Sequence, residues 1–153
     1  MALKLSLELS EVIDLPCDLD KAFDFFMDVP KTAECFPKVD TVKDLGDNKY
    51  HWVMTKEGVG KYSIQVEYGA HYSFDRDKGI VEWTSIPGIG NGVSRGKSVI
   101  TSKGGKTQVN FSTTMDLELP LPGLAKPLIK PFVNREFEKS MEKFRDNVIK
   151  ALS

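Results

Sequence analysis

The sequence predicts an α+β fold, in which a curved antiparallel sheet of seven strands surrounds one long C-terminal helix. Three observations support this prediction: a helical apolar pattern at the C-terminus, strand-like alternation through the middle of the chain, and two short helical patterns after the first strand. The 153 residues, of which 41% are hydrophobic, suffice for one substantial core. We therefore expect a single domain over residues 1–153.

The C-terminal segment from Leu124 to Ser153 has the apolar periodicity of a helix. Its charged residues fall on the opposite face, so the apolar stripe is expected to pack against the β-rich middle of the chain. Pro127 suits the first turn of a helix, whereas Pro131 predicts a break or kink near Lys130. The apolar stripe consists of Leu128, Phe132, Phe137, Met141, Phe144, Val148 and Leu152.

Residues 3–15 alternate between apolar and polar side chains, which predicts a half-buried first strand. Glu11 falls on the apolar side of this alternation. Either the strand has a bulge or a frayed register there, or the carboxylate faces a cavity. After this strand, Asp18 is a good cap for a short helix over residues 19–26, and a second short helix is predicted at about 31–35.

Residues 61–75 show the most regular alternation in the chain and predict one long strand, bent near Gly69. Tyr62, Tyr68 and Tyr72 share its inner face. Because each tyrosine hydroxyl needs a hydrogen-bond partner, three inward tyrosines favour a wet or ligand-filled cavity over a dry core.

Two turns set the register of the strands that follow. A four-residue turn places Tyr72 opposite Trp83, and a Gly-Gly turn further along places Ser98 opposite Phe111. Both pairings keep apolar residues together on the inner face of the sheet.

Two features bear on access to the interior. The glycine-rich segment 87–92 predicts a turn or a mobile lid, and it lacks the Lys-Ser/Thr pair of a phosphate-binding loop. Arg95 and Lys97 point outward in the hairpin register, although a one-residue bulge would turn both inward. Cations inside the sheet would change the class of ligand.

The order of the elements is one strand, two short helices, six antiparallel strands and a long helix, and this order resembles that of the START-like, helix-grip (SRPBCC) superfamily. Residues 12–26 resemble the end of the family's first strand and its first helix. Residues 28–39, DVPKTAECFPKV, resemble a segment of the carbon-monoxide-dehydrogenase G-subunit-like branch. Residues 117–120 and the helix after them are similar to the polyketide cyclase and coenzyme-Q-binding-like branch. The resemblance implies a fold that hosts carriers, sensors and enzymes.

Several classes of function receive no support from the sequence. The net charge is −1 and the cations are scattered among acids, so we expect no nucleic-acid partner. His51 and His71 belong to no group with metal-ligand spacing, and we predict neither a metal nor another cofactor. The N-terminus does not resemble a signal peptide, and no apolar run is long enough to span a membrane. Cys17 and Cys35 are expected to be free thiols in a cytoplasmic protein.

Aromatic and soft apolar residues that face inward are the positive signal for function. They predict a binder or carrier of a hydrophobic small molecule, such as a lipid, an isoprenoid quinone or a polyketide-like ring, in a cavity of several hundred Å³.

One alternative is a cyclase or dehydratase that uses Glu11 or an inward tyrosine as its acid–base group. Another is an accessory protein that docks a partner through the last helix. A transient contact with a membrane or a protein would occur at the cavity mouth. The predicted cavity residues are Tyr62, Val66, Tyr68, Tyr72, Trp83, Phe111, Met115, Phe137, Met141 and Phe144.

Overall fold

The computed structural model describes residues 2–153. The strands are β1 (Leu3–Leu15), β2 (Val39–Gly46), β3 (Lys49–Met54), β4 (Glu57–Val59), β5 (Tyr62–Ile64), β6 (Glu67–Asp75), β7 (Ile80–Gly90), β8 (Gly92–Lys103) and β9 (Lys106–Leu119). The helices are α1 (Leu19–Met27), α2 (Val29–Ala33) and α3 (Lys126–Ala151), and a 3-10 turn at Gly123–Ala125 precedes α3.

Seven of these strands form one antiparallel sheet in the order β1-β9-β8-β7-β6-β3-β2, and β4 and β5 form a separate hairpin. This confirms the predicted helix-grip arrangement of a seven-stranded sheet, two short helices after the first strand and a long C-terminal helix. The register also agrees with prediction, because Tyr72 pairs with Trp83 and Ser98 pairs with Phe111.

Arg95 and Lys97 lie on the outer face of the sheet, where both are exposed. The pairing of β8 with β9 is regular from Gly92 to Lys103, so the outward direction set by the hairpin turn is kept along the whole strand. The Arg95 guanidinium lies 3.6 Å from the Asp116 carboxylate on the same outer surface. The inner face of this part of the sheet therefore carries neither cation.

The prediction of one long strand over residues 61–75 is wrong. The chain leaves the strand at Gln65 and Val66, between β5 and β6, and not at the glycine where a bend was expected. The Asn91 side chain holds this break: its amide donates to the Gln65 carbonyl at 2.8 Å, and its oxygen accepts from the Glu67 N–H at 3.0 Å. A side chain thus supplies hydrogen bonds that a neighbouring strand would otherwise provide.

The predicted turn at residues 87–92 is confined to Asn91, between β7 and the antiparallel β8. The rest of the segment is not a lid, because strand β7 continues to Gly90 and residues 86–89 bulge opposite Gly69 of β6. Ile86 and Ile89 cover that glycine so closely that a methyl group added to it would lie 2.8 Å from the Ile89 Cδ1 atom. Within the segment, Gly88 and Gly90 have positive φ angles, a conformation that favours glycine, so they allow the strand to bulge.

Helix α3 runs without the predicted break near Lys130. Pro127 lies in the first turn and Pro131 in the second. The ring at 131 removes one backbone N–H, which would otherwise bond the carbonyl of Pro127. Both prolines are exposed, so water can bond this carbonyl and the helix continues.

The C-terminal half of α3 packs against the sheet as a dry core. The Phe144 side chain is 0% exposed, and its ring stacks on Phe36 with 4.1 Å between centroids and contacts Phe111 at 5.1 Å. The next residue, Arg145, donates a 2.8 Å hydrogen bond to Glu11 of β1. Aromatic contact and an ion pair thus join the helix to the sheet at this end.

We expect Phe144→Ala to lower the free energy of unfolding by about 3–5 kcal/mol, because it removes a fully buried ring from three packed elements. Chemical denaturation followed by tryptophan fluorescence measures this change. Glu142→Ala, on the exposed face of the same helix, is the control and should cost less than about 0.5 kcal/mol. Equal stability of the two variants would show that the packing of Phe144 does not hold α3 against the sheet.

Candidate functional site: a cavity between the sheet and helix α3

A cavity of about 130 Å³ lies between the inner face of the sheet and the middle of α3. The helix contributes side chains from Phe132 to Met141, and the short helices and the segment after them contribute Phe26, Val29 and Phe36. The sheet contributes inward-facing residues from β1, β3 and β6 to β9. The predicted volume of several hundred Å³ is therefore too large, because the aromatic side chains fill more of the space than expected.

Eight of the ten predicted cavity residues lie on the wall of this cavity. Their side chains come from β6, β7, β9, α3 and the segment between β5 and β6, so residues distant in sequence converge there. Their role in binding stays a prediction. The eight are Val66, Tyr68, Tyr72, Trp83, Phe111, Met115, Phe137 and Met141.

Tyr62 and Phe144 lie outside the wall. Tyr62 belongs to the β4–β5 hairpin, because the chain breaks before β6 and the parity of the predicted long strand does not extend to it. Phe144 lies one turn beyond the last helical residue of the wall, where it supports Phe36 and Phe111 from behind. Both rings therefore shape the cavity only indirectly.

Glu11 does point toward the helix, as its strand parity predicts, but it does not line the cavity. Its carboxylate is paired with Arg145, and only its partner across the strand pair, Phe111, belongs to the cavity wall. The hypothesis of a carboxylate that faces the cavity is therefore wrong. Glu11 lies on the inner side of β1 because its carboxylate forms an ion pair with α3.

Two buried polar atoms on the cavity wall form no hydrogen bond of standard geometry among residues 2–153. One is the Ser98 hydroxyl, in a side chain that is only 1% exposed. The other is the Trp52 indole N–H, in a side chain that is 3% exposed, and it approaches the Tyr72 hydroxyl closely enough to lower the pKa of that phenol. An unpaired buried donor costs about 1–3 kcal/mol. Proteins rarely retain such groups without a function or a bound molecule that satisfies them.

Tyr68 and Tyr72 lie beside Trp52 on the same wall. The Trp52 and Tyr68 rings stack at 5.9 Å, and Tyr72 lies 5.8 Å from Trp83, whose own N–H donates to Ser94 at 3.3 Å. Burial raises the pKa of Tyr68 and of Tyr72 well above the ordinary value of 10. Both phenols therefore stay protonated at neutral pH and are available as hydrogen-bond donors.

The cavity mouth is the opening bordered by Lys38, Glu57 and Glu136, which line the cavity and are partly exposed to solvent. The Lys38 ammonium lies 2.8 Å from the Glu57 carboxylate and 2.7 Å from the Glu136 carboxylate. Hydrogen bonds to these carboxylates raise the pKa of Lys38, and the bond from Lys38 lowers the pKa of Glu136. One lysine thus joins β4, α3 and the segment before β2.

Sequence reasoning missed several wall residues, notably Trp52, Phe36 and the three charged residues of the mouth. Trp52 lies on β3, whose short alternation gave no firm parity. Phe36 and Lys38 lie in the irregular segment between α2 and β2, where periodicity carries no signal. The pairing of Lys38 with Glu136 spans 98 residues, so only the folded structure brings them together.

Other kinds of site find no support in the part of the chain that the structure describes. Residues 2–153 contain no group of three or more His, Cys, Asp or Glu placed to hold a metal ion. None of their helices is long and apolar enough to cross a membrane. His71 is exposed, and His51 lies 2.6 Å from Glu67 as a single pair.

The chain belongs to the family described as polyketide cyclase/dehydrase and lipid transport, whose model matches residues 6–148. This family and its fold support a ligand-binding or cyclase role for a hydrophobic small molecule. No curated protein matches the chain.

Solved structures with the same fold are distant in sequence. A protein from Thermus thermophilus is 18% identical with a TM-score of 0.68, and the match covers 97% of this chain and 100% of that one. The Zhui aromatase/cyclase from a Streptomyces species is 12% identical with a TM-score of 0.62, covering 97% and 92%. A START superfamily protein from Mycobacterium smegmatis is 10% identical with a TM-score of 0.65, covering 95% and 96%. At these identities the likeness shows the fold alone.

The ion pairs at the cavity mouth should make stability depend on pH. Because the pKa of Glu136 is lowered in the folded state, its contribution is present above its ordinary value of 4.5 and is lost as the pH falls through the folded-state pKa. We expect Glu136→Gln to be less stable than wild type by at most ~1 kcal/mol at pH 7, because the pair is partly exposed. The difference should vanish in strong acid. Denaturation across this pH range measures it.

Glu138→Gln, on the exposed side of the same helix, is the matched control for that titration. It should differ little from wild type at every pH. A difference for Glu136→Gln that persists undiminished in acid would mean that its carboxylate does not stabilise the folded protein through Lys38.

Proposed function

We propose that this protein binds a compact, neutral, mostly apolar ring compound that carries at least one hydrogen-bond acceptor, such as a quinone or a polyketide-like ring. The observation that carries the proposal is the Ser98 hydroxyl, which has no partner among the described residues, together with the Trp52 N–H, which only approaches the Tyr72 hydroxyl, on an otherwise apolar aromatic wall. A ligand oxygen would satisfy either group and recover the cost of leaving it unpaired.

The charges at the cavity mouth favour a neutral ligand. Lys38 is the single cation among the described residues of the wall, and it already bonds Glu57 and Glu136, so the cluster carries a net charge of −1. An anionic ligand would have to compete with two carboxylates for one ammonium group. A neutral ring passes the mouth without this competition.

The size of the cavity limits how much of a ligand it holds as it stands. A cavity of about 150 Å³ lined by apolar residues accepts a benzene molecule, so about 130 Å³ suits one small ring system. A second fused ring, as in naphthoquinone or naphthalene, enters by displacing side chains such as Phe132 and Phe137, which are only half-buried. A long tail would stay in the mouth. The ring is therefore the part that the cavity selects.

Binding is favoured over catalysis by the protonation states of the wall. The phenols of Tyr68 and Tyr72 remain protonated at neutral pH, and the two carboxylates on the wall are held by Lys38. A cyclase or dehydratase needs a group that takes a proton from the substrate. The carrier is therefore the better-supported function, and the enzyme is its alternative.

We expect Trp52→Phe and Ser98→Ala each to weaken binding of naphthoquinone about five- to tenfold if the substituted group bonds a quinone oxygen, the effect of one lost hydrogen bond. At least one of the two should do so. Naphthalene has the same ring shape and no acceptor, so its affinity should be nearly unchanged in both variants. Calorimetry or competition with a hydrophobic dye measures the four affinities.

Two results would count against this proposal. If wild type binds neither ring compound nor the dye, the cavity is not a binding site for small rings. If it binds both ring compounds and both variants weaken them equally, the polar groups do not recognise an acceptor and only the apolar volume matters.

Filling the cavity tests the same proposal through packing. Met141→Trp should weaken binding of naphthoquinone and of the dye, because the larger side chain occupies the ligand space, while lowering the free energy of unfolding by less than ~1 kcal/mol, below the usual cost of overpacking. Val148→Trp is the control, since Val148 is fully buried on the same helix outside the cavity wall. Overpacking there should cost ~1–3 kcal/mol. Equal destabilisation by both changes would indicate a solid core at Met141.

A further inference from the structure

Two leucines at the start of α3 are exposed far beyond what the fold requires. Leu124, in the 3-10 turn, is 94% exposed, and Leu128, in the first turn of α3, is 50% exposed. Pro120, Pro122 and Pro127 beside them are also exposed. Single exposed leucines are ordinary. Neighbouring exposed leucines among exposed prolines form an apolar patch, and such patches are typical of interaction sites.

Within the segment that carries these leucines, all charged residues have one sign. The segment 120–131 contains Lys126 and Lys130 and no acidic residue. Both lysines lie in the first turns of α3, where the positive end of the helix disfavours cations. Helix stability therefore does not account for them, and their position next to exposed leucines has another cause.

The tip of the β4–β5 hairpin extends the same surface. A methyl group added to Gly60 would lie 3.4 Å from the Leu128 Cδ2 atom, so the hairpin tip and the start of α3 are neighbours. Lys61, next to Gly60, is exposed and adds a third cation. We call the surface formed by residues 120–131 and the hairpin tip the basic apolar end.

We propose that the basic apolar end docks on a bilayer that contains anionic lipids. Leucine side chains enter the boundary between headgroups and acyl chains, and lysines around them bind the anionic surface. This charge complementarity favours an anionic bilayer over a second copy of the chain, because the same cluster of lysines on both copies would repel.

Docking by this end would place the cavity close to the lipid. Phe132 and Glu136, which line the cavity, follow the exposed leucines along α3, and Glu57 of the mouth lies in the hairpin whose tip joins the patch. The docking is independent of the proposed function, since the exposed leucines and lysines would hold the protein on a bilayer whether or not the cavity takes a ligand.

Sedimentation with vesicles tests the docking. We expect wild type to bind vesicles made from an equal mixture of phosphatidylcholine and phosphatidylglycerol. It should bind vesicles of phosphatidylcholine alone much more weakly. The double variant Leu124→Ser/Leu128→Ser should lose at least about tenfold in partitioning to the anionic vesicles. Lys126→Glu/Lys130→Glu should lose a similar factor, and added salt should weaken wild type.

The matched control is Val12→Ser/Leu45→Ser, which removes two apolar side chains that are 54% and 42% exposed on β1 and β2. It should bind the anionic vesicles like wild type. All variants alter exposed side chains, so none should unfold at a lower temperature than wild type. Lys126→Glu/Lys130→Glu should unfold at a slightly higher temperature, because acidic groups suit the start of a helix. A circular dichroism spectrum checks that each variant is folded.

Three outcomes would overturn the proposal. Wild type that binds neither kind of vesicle does not dock on lipid. Equal loss of binding in the control would show general stickiness instead of a defined surface. A dimer in wild type that Leu124→Ser/Leu128→Ser abolishes, without vesicle binding, would assign the patch to a second copy of the chain.

Discussion

The stack of Phe144 on Phe36, with Phe111 against both, is the contact on which the cavity depends. It joins α3, the segment after α2 and strand β9 at one level, with centroid distances of 4.1 Å, 5.1 Å and 6.5 Å. Beyond this level toward the C-terminus the helix packs as a dry core. On the other side the sheet curves away from a straight helix, and the space that opens is the cavity. The aromatic stack is therefore the floor of the site as well as a part of the core.

The polar groups of the cavity are costly unless something binds them. A buried hydroxyl such as that of Ser98 costs about 1–3 kcal/mol when nothing bonds it. A core selected for stability alone would carry apolar residues at Trp52 and Ser98. Their presence fits the proposed site, in which a ligand oxygen completes the wall and the ion pairs of Lys38 leave no free cation for an anionic ligand.

Strand parity and turn chemistry allowed much of this to be predicted from the sequence. The pairing of Tyr72 with Trp83 follows from a four-residue turn, and the inward direction of Tyr68, Phe111 and Met115 follows from alternation along β6 and β9. The break before Glu67 could not be predicted, because it depends on the Asn91 side chain, 24 residues away. The mouth could not be predicted either, because irregular segments have no period and ion pairs such as Lys38 with Glu136 carry no local signal.

The central claim is that a small ring compound enters the space between the sheet and α3. NMR spectra of the methionine methyl groups test this claim most directly. Met54, Met115 and Met141 line the cavity, whereas Met27 lies outside its wall. With methyl-labelled methionine and added naphthoquinone, the three wall resonances should shift with one common affinity while that of Met27 stays in place. Wall resonances that do not move, or a Met27 shift as large as theirs, would contradict the claim.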